Sequence, residues 1–307
     1  MTLLQLKYIA VIVECGSISK AAKQLFITQP SLSSAVKELE EELDIEIFLR
    51  TSRGISLTAD GTEFLGYARQ ILEQTELFEQ RYKDKKPLRQ ICSISTQHYA
   101  FAVNAFVNLI NESGAEEYEF TLRESRTKDI IDDVATLHSE VGILYLNAFN
   151  EKVIRRFLTE NKLKFHPLFN AKPHVFVSKT SPLAKKKSVT LSDLEEFPCL
   201  SFEQGEYNSF YFSEEIFSTV YHKKSLRVSD RATLFNLLIG LNGYTICSGV
   251  LDSGLNGDQI IAVPLQTGDD MQIGWIVNTQ IHLSKPAERY IEILKELIAQ
   301  NGFEILS

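Results

Sequence analysis

The residues best equipped for chemistry are six histidines, His98, His138, His166, His174, His222 and His282, and four cysteines, Cys15, Cys92, Cys199 and Cys247. Their spacing withholds that chemistry. No C-x-x-C pair occurs, and no two histidines stand at the H-x-x-x-H or H-E-x-x-H spacing that places two metal ligands on one helical face. The G-x-S-x-G elbow of a serine nucleophile and the G-x-x-x-x-G-K phosphate loop are also missing from the sequence. No catalytic residue, metal site or cofactor is therefore expected. The cysteines read as buried reduced thiols and most of the histidines as surface or turn residues.

A second set points to recognition. Thr28, Gln29, Pro30, Ser31, Ser33, Ser34 and Lys37 bring small hydroxyl and amide groups and one cation into ten residues, and Arg50 and Arg53 follow. Hydroxyl and amide groups bond base edges or phosphates, and small side chains let a helix approach the floor of the major groove. The flanking pattern predicts the helices that would hold them. Leu6, Ile9, Ala10 and Val13 recur at helical spacing between Leu3 and Cys15, and Gly16 supplies a stop. Ser19 is placed as the N-cap of a short second helix carrying Ala21, Ala22 and Leu25. Thr28 is placed as the cap of a third, with Pro30 in its first turn and Leu32, Val36, Leu39 and Leu43 on one stripe, which turns Pro30, Ser33, Ser34 and Lys37 outward. Ile47 and Phe48, a turn from Arg50 to Gly54, and Ile55 to Leu57 read as a small β wing, with Arg50 and Arg53 near its tip as phosphate contacts.

Bulk charge runs against this reading. The chain carries a formal charge of −8, and residues 1–61 hold six Lys and Arg against eight Asp and Glu. DNA contact must be local, with cations on one face and acids elsewhere. The residues nevertheless carry a resemblance. Ala21-Ala22-Lys23-Gln24-Leu25, then Thr28-Gln29-Pro30-Ser31-Leu32-Ser33, then Leu39-Glu40, Leu43, Phe48 and Arg50, resemble the helix-turn-helix of LysR-type transcription regulators, and Leu57 to Gly61 resembles that family's entry into its linker helix. Asp44 stands where the family usually has Gly, and Ser34-Ala35 where many members place Arg or Gln.

From Thr58 to about Lys86 there is no proline, and Leu57, Gly61, Phe64, Ala68, Ile71, Thr75, Phe78 and Tyr82 alternate steps of four and three, the period of a two-helix seam. Phe64, Ala68, Ile71, Thr75, Phe78 and Tyr82 are thus expected to meet the same helix of a second subunit, and Lys83 to Pro87 to form a hinge. Beyond it, strand-like and helix-like runs alternate: Ile91–Ser95, Tyr99–Ile110, Glu119–Arg123, Lys128–Leu137 and Val141–Tyr145, then His174–Ser178, Cys199–Phe202, a helix around Glu214–Val220, Leu226–Val228, Ala232–Leu241, Tyr244–Cys247, Ile273–Asn278 and Pro286–Gln300. Such βαβαβ order predicts parallel, doubly wound sheets. Ligands of open α/β sheets sit beyond the carboxyl ends of strands. Ser95, Thr96 and Gln97, Thr127, Ser201 and Phe202, and Ser248 occupy such places.

Together these readings predict an α+β multi-domain chain. Residues 1–58 form a winged helix-turn-helix and 59–87 a linker and dimerisation helix, and the resemblance implies that 88–307 is a two-lobed Rossmann-like α/β effector domain, with lobe one at about 88–164 and 268–300 and lobe two at about 165–265. The resemblance implies an effector domain similar to periplasmic solute-binding proteins, with Pro182-Leu183-Ala184 and Asn242-Gly243-Tyr244 matching two of its turns. It implies a non-enzymatic regulator whose partners are double-stranded DNA, a small metabolite effector (an organic anion or amino-acid-like molecule), RNA polymerase, and further copies of the chain in a dimer or tetramer. No apolar stretch reaches the roughly 18 to 20 residues that span a bilayer, so no membrane contact is expected and the chain is read as cytoplasmic.

Overall fold

The computed structural model describes residues 1–51, 54–83, 90–207, 209–251 and 257–306. They fall into two compact units, Met1–Leu88 and Arg89–Ser307.

In the first unit α1 (Leu3–Cys15), α2 (Ile18–Gln24) and α3 (Gln29–Leu43) close around Ile9, Ile12, Ala21, Leu32 and Leu39, all fully buried. Local chemistry sets their ends. Thr2 and Gln5 form a reciprocal capping box on α1, and Gly16 ends it at φ 63°, in the left-handed region. Ser17, not Ser19, holds the N-cap position of α2, because the left-handed Gly16 has already turned the chain and leaves Ser17 extended. The Thr28 hydroxyl accepts from the Ser31 amide at 3.3 Å to cap α3, and Asp44 ends that helix at φ 54°, a conformation Asp tolerates.

Strands β1 (Phe48–Thr51) and β2 (Gly54–Leu57) pair antiparallel as the wing. Helix α3 holds its root, since Glu40 Oε1 accepts from the amides of Ile47 and Phe48 at 2.7 and 3.1 Å. The long helix α4 (Ala59–Lys83) starts where Thr58 Oγ1 accepts from the Gly61 amide at 2.8 Å and donates to the Glu46 carbonyl at 2.5 Å. A Cβ on Gly61 would stand 2.1 Å from the Ile47 carbonyl oxygen, so only glycine lets the helix begin here. The first turns of α4 lie on α1 and bury Leu65 and Ala68. Ala68, expected on an intersubunit seam, is covered by its own chain instead.

The second unit contains two five-stranded sheets among the described residues. The first has the order β4-β3-β5-β12-β6, built from β3 (Gln90–Thr96), β4 (Tyr118–Glu124), β5 (Val141–Leu146), β6 (Leu163–Ala171) and β12 (Met271–Asn278). Helices α5 (Ala100–Ser113), α6 (Thr127–Ala135), α7 (Glu151–Glu160) and α10 (Lys285–Gln300) accompany it. The second has the order β11-β7-β10-β8-β9, built from β7 (His174–Ser178), β8 (Cys199–Phe202), β9 (Ser225–Val228), β10 (Tyr244–Cys247) and β11 (Ile260–Pro264), with α8 (Leu191–Leu194) and α9 (Arg231–Leu241).

Three of the sequence expectations are corrected here. The sheets are mixed, not wholly parallel: β3 pairs parallel with β4 and β5, but β12, returning from the other lobe, pairs antiparallel with β5 and β6. Because β6 pairs along its length with β12, residues 165–171 belong to the first lobe, and the crossover lies at residues 172–173. Residues 214–220 form turns instead of a helix, because Glu214 and Glu215 point inward, 6 and 7% exposed, and Phe217 takes φ 60°.

The same segment ties the lobes together. Phe212, in the connection from β8 to β9, is buried in a cluster with Ile130, Ile154 and Leu158 of the first lobe, and Tyr145 donates its hydroxyl to the Ser213 carbonyl at 3.0 Å.

Replacing Gly61→Ala should destabilise the first unit by about 1–3 kcal/mol through the forced contact with Ile47. The one tryptophan, Trp275, lies in the second unit. In urea unfolding the far-UV circular dichroism transition should therefore move to lower denaturant while the Trp275 fluorescence transition stays in place. An unmoved dichroism transition would mean the backbone approach at Ile47 is dispensable.

Candidate nucleic-acid interface and interlobe cavity

Thr28, Gln29, Pro30 and Ser31 are all exposed at the first turn of α3, with Ser34 exposed and Ser33 half-buried one turn further on. Thr28 Oγ1 lies 2.8 Å from Ser31 Oγ, and Ser34 Oγ donates to Glu38 Oε1 at 3.1 Å. Lys37 Nζ lies 3.3 Å from Glu41, an exposed pair that water screens. Arg50 lies on β1, and Arg53 is outside the described residues. The helix is electrically lopsided. Its first half is neutral or basic, whereas Glu38, Glu41 and Glu42 are exposed on the second half, so only its N-terminal end suits a polyanion.

Along α4, Phe64 and Thr75 are half-buried, while Ile71, Phe78 and Tyr82 stand exposed, the rings of Phe78 and Tyr82 4.8 Å apart. Leu3 joins Ile71, Thr75 and Phe78 along an apolar groove within this unit. The hinge read at Lys83 to Pro87 falls, from residue 84 on, outside the described residues.

In the second unit each sheet has the strand order 2-1-3 over its parallel strands, which opens a crevice between the carboxyl ends of strands 1 and 3. In the first lobe Gln97 fills that crevice. Its amide nitrogen donates to Thr127 Oγ1 at 2.6 Å, and its carbonyl accepts from the Tyr145 amide at 3.1 Å and the Tyr99 hydroxyl at 3.0 Å. Thr127 is buried and donates its backbone N–H to Gln204 of the second lobe at 3.2 Å. Ser95 turns toward α6, donating to Asp133 at 2.6 Å with Ser139 at 2.8 Å, and Thr96 donates to the Gln97 carbonyl. These four residues, expected to line the site, spend their polar groups on the protein, and none of them lines the interlobe cavity.

In the second lobe the crevice is open. A cavity of about 40 Å3 lies between β8 and β10, walled by Phe202 and Ser248 together with His98, Glu214, Glu215, Arg231 and Thr245. Ser201, expected here, is half-buried on β8 and does not line it. His98 is no surface residue. Its side chain is 4% exposed, its ring stacks on Phe202 at 3.8 Å, its Nδ1 lies 2.9 Å from Glu214 Oε2, and its backbone N–H donates to the same oxygen at 2.9 Å. Burial alone would lower the His98 pKa, but the hydrogen bond and charge of Glu214 outweigh it and raise the value above 6.5.

Two more ion pairs join the lobes, Arg126 with Glu203 and Arg231 Nε with Glu124 Oε1 at 3.2 Å. That Glu124 oxygen is buried and has no aligned hydrogen bond, and burial holds its carboxyl above the usual range despite Arg231 and His98. Glu215 goes further. Burial, with Glu214 beside it, pushes its carboxyl well above the usual range, only partly offset by the amide of Phe202, which donates at 2.9 Å, and by its own amide. His98, Glu214 and Glu215 were invisible to motif reading, since an isolated histidine and an acidic pair carry no spacing signal.

A folded-state pKa above the unfolded 6.5 means that the His98–Glu214 pair contributes its full stability below pH 6.5 and loses it as pH rises through the folded value. Proton NMR of the His98 ring should give a midpoint above 6.5, falling below 6.5 in Glu214→Gln, where burial acts with the main counter-charge removed. A midpoint indifferent to that substitution would remove Glu214 as the group that holds the proton.

The family model described as "Bacterial regulatory helix-turn-helix protein, lysR family" matches residues 3–62, and "LysR substrate binding domain" matches residues 115–299. The chain is 27% identical to the uncharacterized HTH-type transcriptional regulator YvbU of Bacillus subtilis, over 97% of this chain and 99% of that one. It is 25% identical to the HTH-type transcriptional activator CmpR of a Synechocystis strain, over 95% and 94%. Among solved structures, a cysteine mutant of Corynebacterium glutamicum OxyR superposes with a TM-score of 0.54 at 21% identity, covering 97% of this chain and 92% of that one. A point mutant of full-length BenM superposes with a TM-score of 0.52 at 23% identity, covering 100% and 99%, and both share the fold. The matched helix-turn-helix, and a substrate-binding domain that alone spans more than half of the sequence, make this chain a member of the LysR family of transcriptional regulators.

Proposed function

We propose that the protein is a DNA-binding transcription regulator whose grip on its operator is set by a small metabolite held between the two C-terminal lobes. The N-terminal end of α3 enters the major groove, with Thr28, Gln29, Pro30, Ser31, Ser33, Ser34 and Lys37 facing base edges and phosphates, and Arg50 and Arg53 serve as contacts to the flanking phosphates. The observation that carries this reading is the polarity of α3, whose first turn is exposed and free of acids while its acids gather at the far end. On this reading residues 1–58 contact DNA, 59–87 pair subunits and 88–307 sense the metabolite.

Two copies join through the outer half of α4, where Ile71, Phe78 and Tyr82 lie exposed with Thr75 between them. A two-fold axis there sets two α3 helices on half-sites about one helical turn apart, or a multiple of it. The metabolite enters at the interlobe cavity. Its present volume of about 40 Å3 admits water but no metabolite, so binding must displace the stacked His98 and Phe202 or part the lobes. A ligand that favours one lobe arrangement in this way is what couples the cavity to the DNA-binding units.

Ser33→Glu sets a negative charge against the phosphates and should weaken binding to promoter DNA about tenfold or more, with unchanged circular dichroism. Electrophoretic shifts at two salt concentrations test it, and undiminished affinity would take α3 out of the interface. Phe78→Glu should turn a dimer into a monomer in sedimentation velocity. A persisting dimer would place the subunit contact elsewhere.

A further inference from the structure

Each cation at the interlobe cavity already has a counter-charge, His98 in Glu214 and Arg231 in Glu124. Glu215 has none among the described residues. It accepts only from backbone amides, and it meets another acid, Glu214, at its side. Two buried hydroxyl residues share the wall, Thr245 at 4% and Ser248 at 2% exposure, and neither hydroxyl has a hydrogen-bond partner among the described residues. The remainder of the lining is aromatic and aliphatic, with Phe176, Phe202 and Phe235 among it. An anion placed here would meet two carboxyl groups and find both cations engaged. A protonated amine would find an unanswered carboxyl, two free hydroxyl acceptors and aromatic rings whose faces attract cations.

We infer that the interlobe cavity selects a small molecule bearing a protonated amine on an apolar body, with Glu215 as its counter-ion. The inference rests on the cavity being the metabolite site and names the chemical class of that metabolite. On binding, the Glu215 carboxylate pairs with the ammonium, while Thr245 and Ser248 accept hydrogen bonds from it. The apolar body lies along the phenylalanines, with the His98–Phe202 stack displaced to admit it.

Three probes of equal length that differ only in head group test this: n-butylamine, n-butanol and butyrate, titrated into the full chain and followed by saturation-transfer NMR. Butylamine should bind with a Kd about tenfold lower than either of the others, the ion pair and ring contacts supplying the difference. Glu215→Gln keeps the size of the side chain and an oxygen to accept from the Phe202 amide, so the circular dichroism of the full chain should be unchanged, while the preference for the amine collapses. Ser248→Val, which narrows the cavity and removes a hydroxyl, should weaken butylamine as well. If butanol or butyrate binds as well as the amine and Ser248→Val weakens it, the cavity is a ligand site and the amine assignment is overturned. If no probe binds, or binding ignores both substitutions, the reading of the cavity as the metabolite site falls along with it.

Discussion

A carboxyl group buried in protein must be met by a proton, a cation or several donors, and the C-terminal unit is organised around two adjacent ones. Glu214 is met by the ring and backbone of His98 and, at 3.3 Å, by the side-chain amide of Gln204, which in turn accepts from the Thr127 backbone. Since His98 and Thr127 sit on the first lobe and Gln204 on the second, Glu214 is satisfied only while the lobes are together. Phe212, sunk among first-lobe side chains, keeps the segment that carries both acids in position. Glu215, on the wall of the cavity beside them, accepts from backbone amides.

The N-terminal unit solves a smaller form of the same problem. Glu40 is half-buried under the wing, and its carboxylate collects two backbone amides at the entry to β1. The wing is thereby fixed to α3 from below, which leaves the first turn of α3 free of structural duties apart from its Thr28 cap. Gly61 does for α4 what Glu40 does for the wing: it brings two backbone segments into direct contact, so that the long helix leaves the domain in one direction.

Helix α4 is covered along one half of its length and bare along the other. Its period of four and three residues is continuous, yet Leu65 and Ala68 pack on α1 while Ile71, Phe78 and Tyr82 face outward. Periodicity reports that a face is apolar and says nothing of what covers it.

The sequence by itself determined the elements whose causes are local. The Thr28 cap, Pro30 in the first turn, the stripe of Leu32, Val36 and Leu39, and the tolerance of Asp44 for a left-handed turn all lie within a few residues of the feature they produce, and the motif they form was recognisable on sight. The positions of Phe202 at the end of β8 and Ser248 just after β10 were legible for the same reason. Only the tertiary structure decided the rest. Glu214 and His98 are 116 residues apart, and nothing near either one reveals that the other will neutralise it. The crossover at residues 172–173 depends on β6 finding β12 a hundred residues later, and the turn at 214–220 depends on burying acids that a helical pattern would expose. Local steric and capping preferences are written in adjacent residues, whereas the pairing of buried charges and the register of distant strands are settled by what the folded chain brings together.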